Sequence, residues 1–356
     1  MALDAETGTI HWKTYTTPDN GGALDRFSGV SVWGSSPCVD KKRNRVYVAT
    51  GQNYKVPEAL AACLREAAAI DDLERRMTEQ EACRVAYGSA DNHFDSVLAL
   101  DLNSGAIEWS KRTEGFDAWT LACGGELGVI PSLPAYPPEC PDPEGPDYDF
   151  AQAPMLFATP SGRELLGVGQ KSGVFWVLDP DRGGDLVWAT TVGPGSKSGG
   201  HMFGAATDGE RIFVQTTNLD HLETELVDGT VVNGGFWSAL NAETGEIIWQ
   251  TPDPASFLPL EGNLGNPYIG TGLGPGFFGA PQGPITLANG VVYAGSMDME
   301  GHMYAMDEAT GEILWSFASG GSVAAAPTVV DGVLYWGSGY RSGFPNDRLY
   351  AFSLPD

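Results

Sequence analysis

Asp147 and Asp149, in the stretch GPDYDFAQ, stand two positions apart in a chain with few other groups spaced for chemistry. In an extended segment, positions i and i+2 face the same side. Two carboxylates so placed can share a cation, or one can hold the other's proton. The other reading is a solvated acidic turn, since Pro141, Pro143 and Pro146 precede the pair and the chain is acidic throughout. Four of the five cysteines sit in pairs within two insertions, Cys63 with Cys83 and Cys123 with Cys140. Their placement predicts two local disulfides, each worth about 3 kcal/mol of loop entropy and each requiring an oxidising compartment, extracellular or periplasmic. Metal binding is the rival use of these thiols, but neither a CxxC nor a nearby His supports it. Cys38 lies in a strand-like run and reads as a buried thiol outside both pairs. The five histidines show no HExxH or triad-like spacing. His201, in GGHMFG, is either a surface loop histidine or one carried by a glycine-flanked loop toward a site.

These residues must be held by many short strands. Gly (47), Pro (24) and aromatic residues (10%) are abundant, as expected of strands joined by tight turns. A net charge of −26 makes nucleic acid and anionic membrane surfaces poor partners. No run approaches 18 apolar residues, and MALDAETGTIHW has neither the basic flank nor the apolar core of a signal peptide, so no membrane insertion is expected.

One phrase recurs: ALDAETGTIHW from Ala2, ALDLNSGAIEW from Ala99 and AMDEATGEILW from Ala305, with variants ALNAETGEIIW from Ala239 and VLDPDRGGDLVW from Val177. Each reads as a strand ending at Asp or Asn, a turn closed by a glycine with positive φ, and a second strand ending in Trp. Asn289-Gly290 and Asp331-Gly332 mark further hairpin turns between alternating apolar runs. The expected fold class is therefore all-β, a propeller of four-stranded antiparallel blades: five nearly complete blades, plus an orphan hairpin at the N-terminus. The phrases are spaced more widely than the roughly 40 to 50 residues of simple propeller repeats, so some blades carry insertions. We expect one domain over 1–356 forming an incomplete ring that lacks N-terminal blades, with a helical insertion at 55–90 and a Pro/Cys-rich loop at 114–153. The five repeated tryptophans, Trp12, Trp109, Trp188, Trp249 and Trp315, should be buried between blades.

The phrase xLDxxTGxxxW resembles the tryptophan-docking motif of the pyrroloquinoline-quinone (PQQ) repeat propellers. WGSSPCVDKKRNRVYVATGQNY, NHFDSVLALDLNSGAIEW, CPDPEGPDYDFAQAPMLF, GQKSGVFWVLD and GAATDG, in that order, resemble the polyvinyl-alcohol-dehydrogenase-like members of the quinoprotein alcohol dehydrogenase superfamily. The resemblance implies a ring of about eight blades with PQQ on its axis, bridged to protein oxygens by calcium or a lanthanide. It implies that Trp33, before Gly34, stacks on PQQ. The bland reading is a buried strand-end aromatic. The metal-binding amide of the family follows Thr-Gly, but here the run is Thr50-Gly51-Gln52-Asn53, so either Gln52 or Asn53 takes that place. Asp149, followed by Phe150 and Ala151, matches the catalytic base and a metal ligand, with Asp147 as its understudy. Lys171 matches the cation that touches the PQQ carbonyls, or else is a solvated turn lysine.

The implied activity is oxidation of a small-molecule or polymeric alcohol, with Asp149 taking the hydroxyl proton and hydride passing to PQQ. No CxxCH occurs, so a cytochrome electron acceptor would be a separate partner or lie upstream. The family's adjacent-cysteine disulfide and an early metal-binding Glu are not found in these residues, which places them in the expected upstream portion. The rival reading is a non-catalytic propeller scaffold that has lost the cofactor, and the extra residue at Gln52 favours it.

Overall fold

A computed structural model describes the chain except for residues 24, 34–35, 114, 124–139, 198, 258–279, 341–344 and 355–356. Gly34 and residues 114 and 124–139 of the Pro/Cys-rich loop thus lie outside the described residues. The described residues divide into two compact units, one of Met1–Pro154 with Asp181–Asp185, the other of Met155–Pro180 with Leu186–Asp356.

The first unit contains a two-stranded hairpin, Ala2–Leu3 with Ile10–Trp12, and blade 1. Blade 1 is an antiparallel sheet of Cys38–Asp40, Arg45–Ala49, Ser96–Asp101 and Ile107–Arg112, paired in chain order. The second unit holds three more sheets of the same order. Blade 2 has strands Met155–Ala158, Glu164–Gly169, Val174–Asp179 and Asp185–Thr191, only the first residue of the last strand falling in the other unit. Blade 3 has Ala206–Thr207, Arg211–Thr216, Phe236–Asn241 and Ile247–Pro252, and blade 4 has Thr286–Ala288, Val291–Gly295, His302–Asp307 and Ile313–Ala318. Blade 5 has three strands, Thr328–Val330, Val333–Ser338 and Arg348–Ser353.

The repeated phrase works through local chemistry. An Ala stands opposite the Trp in four of the five hairpins, as Ala2↔Trp12, Ala99↔Trp109, Ala239↔Trp249 and Ala305↔Trp315, and the register shifts at the next step. The small partner leaves room for the indole. The acid at the turn accepts N–H bonds from two and three residues on: Asp101 Oδ1 from Asn103 (3.1 Å) and Ser104 (2.7 Å), Asp307 Oδ1 from Ala309 (3.0 Å) and Thr310 (2.9 Å). Only a carbonyl-type oxygen is needed, so Asn241 substitutes, accepting from Glu243 (2.9 Å) and Thr244 (3.0 Å). Hydrogen bonds from Thr7, Ser104 and Thr310 hold the carboxyls of Asp4, Asp101 and Asp307 below their ordinary range.

Trp188 and Trp249 each dock on the following phrase. Trp188 Nε1 donates to Ala242 O (3.3 Å), and Trp249 Nε1 to Glu308 O (3.1 Å). Thr190 and Thr251, two residues beyond, donate to the carbonyls of Gly245 (2.7 Å) and Gly311 (2.8 Å). The terminal hairpin docks on blade 1 in the same way, through Trp12 Nε1 to Leu102 O (3.0 Å). Trp188 and Trp249 are buried, whereas Trp12, Trp109 and Trp315 are half-buried, less than expected for all five.

The helical insertion consists of two helices, α1 (Glu58–Ala68) and α2 (Leu73–Tyr87). Asp72 breaks the run by capping α2, its side chain accepting from Arg75 N at 2.8 Å. Leu60, Ala61, Leu64 and Ala67 form the buried face of α1, with Phe27, Val56 and Cys83; Ala68 is exposed. The Cys63–Cys83 disulfide ties α1 to α2, and Cys123–Cys140 closes the second insertion. Cys38 is outside both and only half-buried. Among the described residues no helix is long and apolar enough to cross a membrane.

Candidate functional site

In the first unit, the strand Arg45–Ala49 runs out into Thr50-Gly51-Gln52-Asn53, and neighbours pin every residue of that turn. Thr50 N donates to Ser96 O (2.9 Å), Gly51 N to Ser31 O (3.0 Å), and Asn53 N to Asp117 O (3.2 Å), while Gln52 O accepts from Val30 N (2.7 Å). Phe150 N reaches back to Thr50 O (3.2 Å), which brings Asp149 alongside. Asp149 Oδ1 accepts the Gln52 N–H at 2.8 Å, and its Oδ2 accepts Trp33 Nε1–H at 3.1 Å. Trp33, Gln52 and Asp149, far apart in sequence, therefore meet. Gly51 allows it: a Cβ there would overlap the Asp149 carboxylate and lie 3.1 Å from Trp33 Nε1.

Asp147 and Asp149 are both buried, so the segment is not a solvated turn. Nor is it extended at Asp147, which has φ 62°. The alternation that would put both carboxylates on one side therefore does not apply. The cause is Asp117, whose carboxylate accepts Asp147 N (3.0 Å) and Tyr148 N (2.6 Å) and folds the chain around itself. Burial pushes the Asp117 carboxyl up to about 6, and the charge of Asp149 adds to this. The sequence does not single out Asp117, because nothing local marks a lone DAW as the acid that organises a turn some 30 residues on.

Asn53 is 1% exposed. Its Nδ2 donates to Asp117 O (2.9 Å), and its Oδ1 has no hydrogen-bond partner among the described residues. Gln52 Nε2 donates instead to Trp119 O (3.3 Å). A buried amide oxygen left over, in the same turn that a carboxylate grips, belongs to a donor set that suits a hard cation. Asn53 fits that role on this ground, and the part-exposed Trp33 ring can offer a face to a planar group.

Lys171 lies in the second unit, in the turn after Glu164–Gly169. It is 5% exposed, so it is no solvated turn lysine. Its carbonyl accepts Ser196 N (3.2 Å). His201, in the loop after blade 2, is fully buried rather than on the surface. Its Nδ1 lies 2.6 Å from Gln215 O and its Nε2 3.2 Å from Gly173 O, and burial drives its pKa down to about 4. It is a neutral packing group against Phe175.

With that geometry in place, similarity to known proteins becomes informative. A polyvinylalcohol dehydrogenase of Pseudomonas sp is 29% identical over 364 residues, covering 96% of this chain and 47% of the relative. The homologous enzyme of Sphingopyxis sp. (strain 113P3) gives 29% over 366 residues with the same coverage. The structure of a quinohemoprotein alcohol dehydrogenase from Pseudomonas putida HK5 superposes with a TM-score of 0.55 at 16% identity, over 95% of this chain and 52% of that one. The fold is a β-propeller like that of the quinoprotein dehydrogenases to which the chain is similar. The four-stranded sheets are the blades of that fold, and the chain spans about half the length of the curated relatives it matches. The family model described as outer membrane protein assembly factor BamB (PQQ_2) matches residues 233–354. That span holds the docking phrases of blades 3 and 4 and none of Trp33, Gln52, Asn53, Asp149 or Lys171, so the match reflects the shared repeat rather than the site.

Proposed function

We propose that this propeller forms part of a PQQ-dependent alcohol dehydrogenase in which Asp149 is the general base. The observation that carries the reading is the grip on Asp149. Two N–H donors, from Trp33 and Gln52, one on each oxygen, fix the plane of its carboxylate. A carboxylate oxygen has two acceptor sites, so being held by an N–H does not prevent it from taking a proton. When bound, the quinone supplies the two-electron acceptor and a hard cation the Lewis acid. Trp33 would face the quinone, and Asn53 Oδ1 together with Asp149 would hold the cation. Asp149 accepts the hydroxyl proton as the carbinol carbon is oxidised. Lys171 is assigned to the cofactor by resemblance alone. The substrate class is an alcohol, with the polyvinylalcohol dehydrogenases as the guide, and the electron acceptor is a cytochrome, on a separate protein or upstream of these residues. A periplasmic or extracellular location agrees with the two disulfides.

The test uses the protein in its complete length with PQQ and calcium. Asp149→Asn keeps shape but cannot accept a proton, so kcat should fall about 10²- to 10⁴-fold while PQQ binding, read by its absorbance, is retained. Unchanged turnover would move the base to Asp147. Failure of the wild-type protein to bind PQQ at all would favour the scaffold reading.

A further inference from the structure

Residues 117–119 are bonded to both arms of the candidate site, all within the first unit. They pair with Asn53 in a parallel bridge at Ala118, Asn53 N donating to Asp117 O (3.2 Å) and Trp119 N to Asn53 O (2.9 Å). They also take up the chain that leads to Asp149. Gly145 N donates to Ala118 O (2.9 Å), while the Asp117 carboxylate accepts Asp147 N on one oxygen and Tyr148 N on the other. Asp117 thus grips one arm with its main chain and the other with its side chain.

Each grip fixes a particular atom. Because Asn53 Nδ2 donates to the Asp117 carbonyl at 2.9 Å, the amide is held one way round, and Oδ1 is the atom left over. Because two successive N–H groups are drawn to one carboxylate, Asp147 takes φ 62°, a left-handed conformation that a non-glycine residue adopts only under constraint. The chain beyond it then delivers Asp149 to the Gln52 and Trp33 N–H groups. Asp117 is fully buried, and the Asp95 carboxyl hydrogen-bonds to its side chain. Gly145 leaves the room: a Cβ there would lie 2.3 Å from Asp117 Oδ1 and 2.5 Å from Ala118 N. We propose that Asp117 is a positioning residue for the oxidation, its carboxylate setting the turn that aims Asp149 and its carbonyl setting the Asn53 amide that presents Oδ1 to the cation. Its role depends on Asp149 and Asn53 being the base and a cation ligand, as proposed above.

Asp117→Asn keeps the size but leaves one acceptor oxygen for two N–H donors, so one of them meets an amide N–H instead. In the cofactor-free full chain, hydrogen exchange followed by NMR should show the Gln52 N–H, which donates to Asp149 Oδ1, losing protection by roughly tenfold or more. The Thr50 and Asn53 N–H groups donate to the main-chain carbonyls of Ser96 and Asp117 and should keep theirs. In the complete-length protein with PQQ and calcium, kcat should fall about 10²-fold with KM within about threefold of wild type, since the base is misplaced while binding is spared. Gly145→Ala crowds the same carboxylate with Asp117 unchanged; it should also loosen Gln52, and it serves if Asp117→Asn does not fold. Unaltered Gln52 protection in a folded Asp117→Asn overturns the proposal, as does protection lost equally at Thr50, the mark of a merely structural acid. A wild type that binds no PQQ, with the exchange pattern as expected, overturns the assignment of Asp149 as base and not the clamp on it.

Discussion

Asp253 shows how burial converts an ordinary residue into a pH-sensitive one. It is fully buried in the second unit, accepting Ala255 N–H at 3.0 Å and Ser256 Oγ–H at 3.2 Å. Burial raises its pKa to about 7, with the charge of Asp298 adding and the hydrogen bonds opposing. A carboxyl raised in the folded state binds its proton more tightly there than in the unfolded chain, whose value is near 4. Its stabilising contribution is therefore present below about pH 4 and is lost as pH rises through 7, by up to about 4 kcal/mol. The Tm of the wild type minus that of Asp253→Asn should be more favourable to the wild type at pH 5 than at pH 8, by calorimetry. A pH-independent difference would mean the buried group does not exchange a proton on unfolding. Nothing in TPDPAS announces such a residue, nor does GGHMFG announce that His201 is interior; burial belongs to the packed chain and leaves no local pattern in these loops. Trp33 and Asp149 are different, because resemblance to a family phrase points to both, although only the fold shows Gly51 making room for their contact.

At the scale of elements, the docking phrase is legible because its chemistry is almost wholly local: the acid caps its own turn and the Trp faces its own Ala. What the phrase cannot reveal is the partner surface. Gly245 has φ 76°, and a Cβ added there would stand 2.5 Å from the Trp188 ring. Gly229 has φ 85°, and nothing lies within 4 Å of where a Cβ would stand, so it isolates backbone strain from the clash. Gly229→Ala should cost about 1 to 2 kcal/mol, the left-handed penalty alone, and Gly245→Ala at least about 2 kcal/mol more, as the Trp is driven off its seat. Equal denaturant midpoints for the two variants would remove inter-blade docking as the reason for the glycine. The helical insertion is half legible. Its helical character is expected, but Asp72 as a cap splits the run into two helices.

At the scale of the whole molecule, the excess of acid decides the response to salt. Exposed acids repel one another, and each exposed ion pair is worth only about 0 to 1 kcal/mol. The pairs are few beside the surplus: Lys111 with Asp185 (3.1 Å) is exposed on both sides, and Asp181 reaches Arg43 (2.6 Å) from an exposed position. Added sodium chloride weakens attraction and repulsion alike, shrinking the Debye length from about 30 Å at 0.01 M to about 10 Å at 0.1 M. Because 46 acidic residues face 20 basic ones, like-sign pairs outnumber opposite-sign pairs, so screening removes more repulsion than attraction. The Tm at pH 8 should therefore rise by several degrees between 0.01 and 0.3 M salt, and the rise should shrink toward the sequence isoelectric point of about 4.3, where the excess is titrated away. A Tm that falls with salt at pH 8 would mean the few ion pairs outweigh the acid surplus. Calorimetric scans at both pH values settle which sign holds.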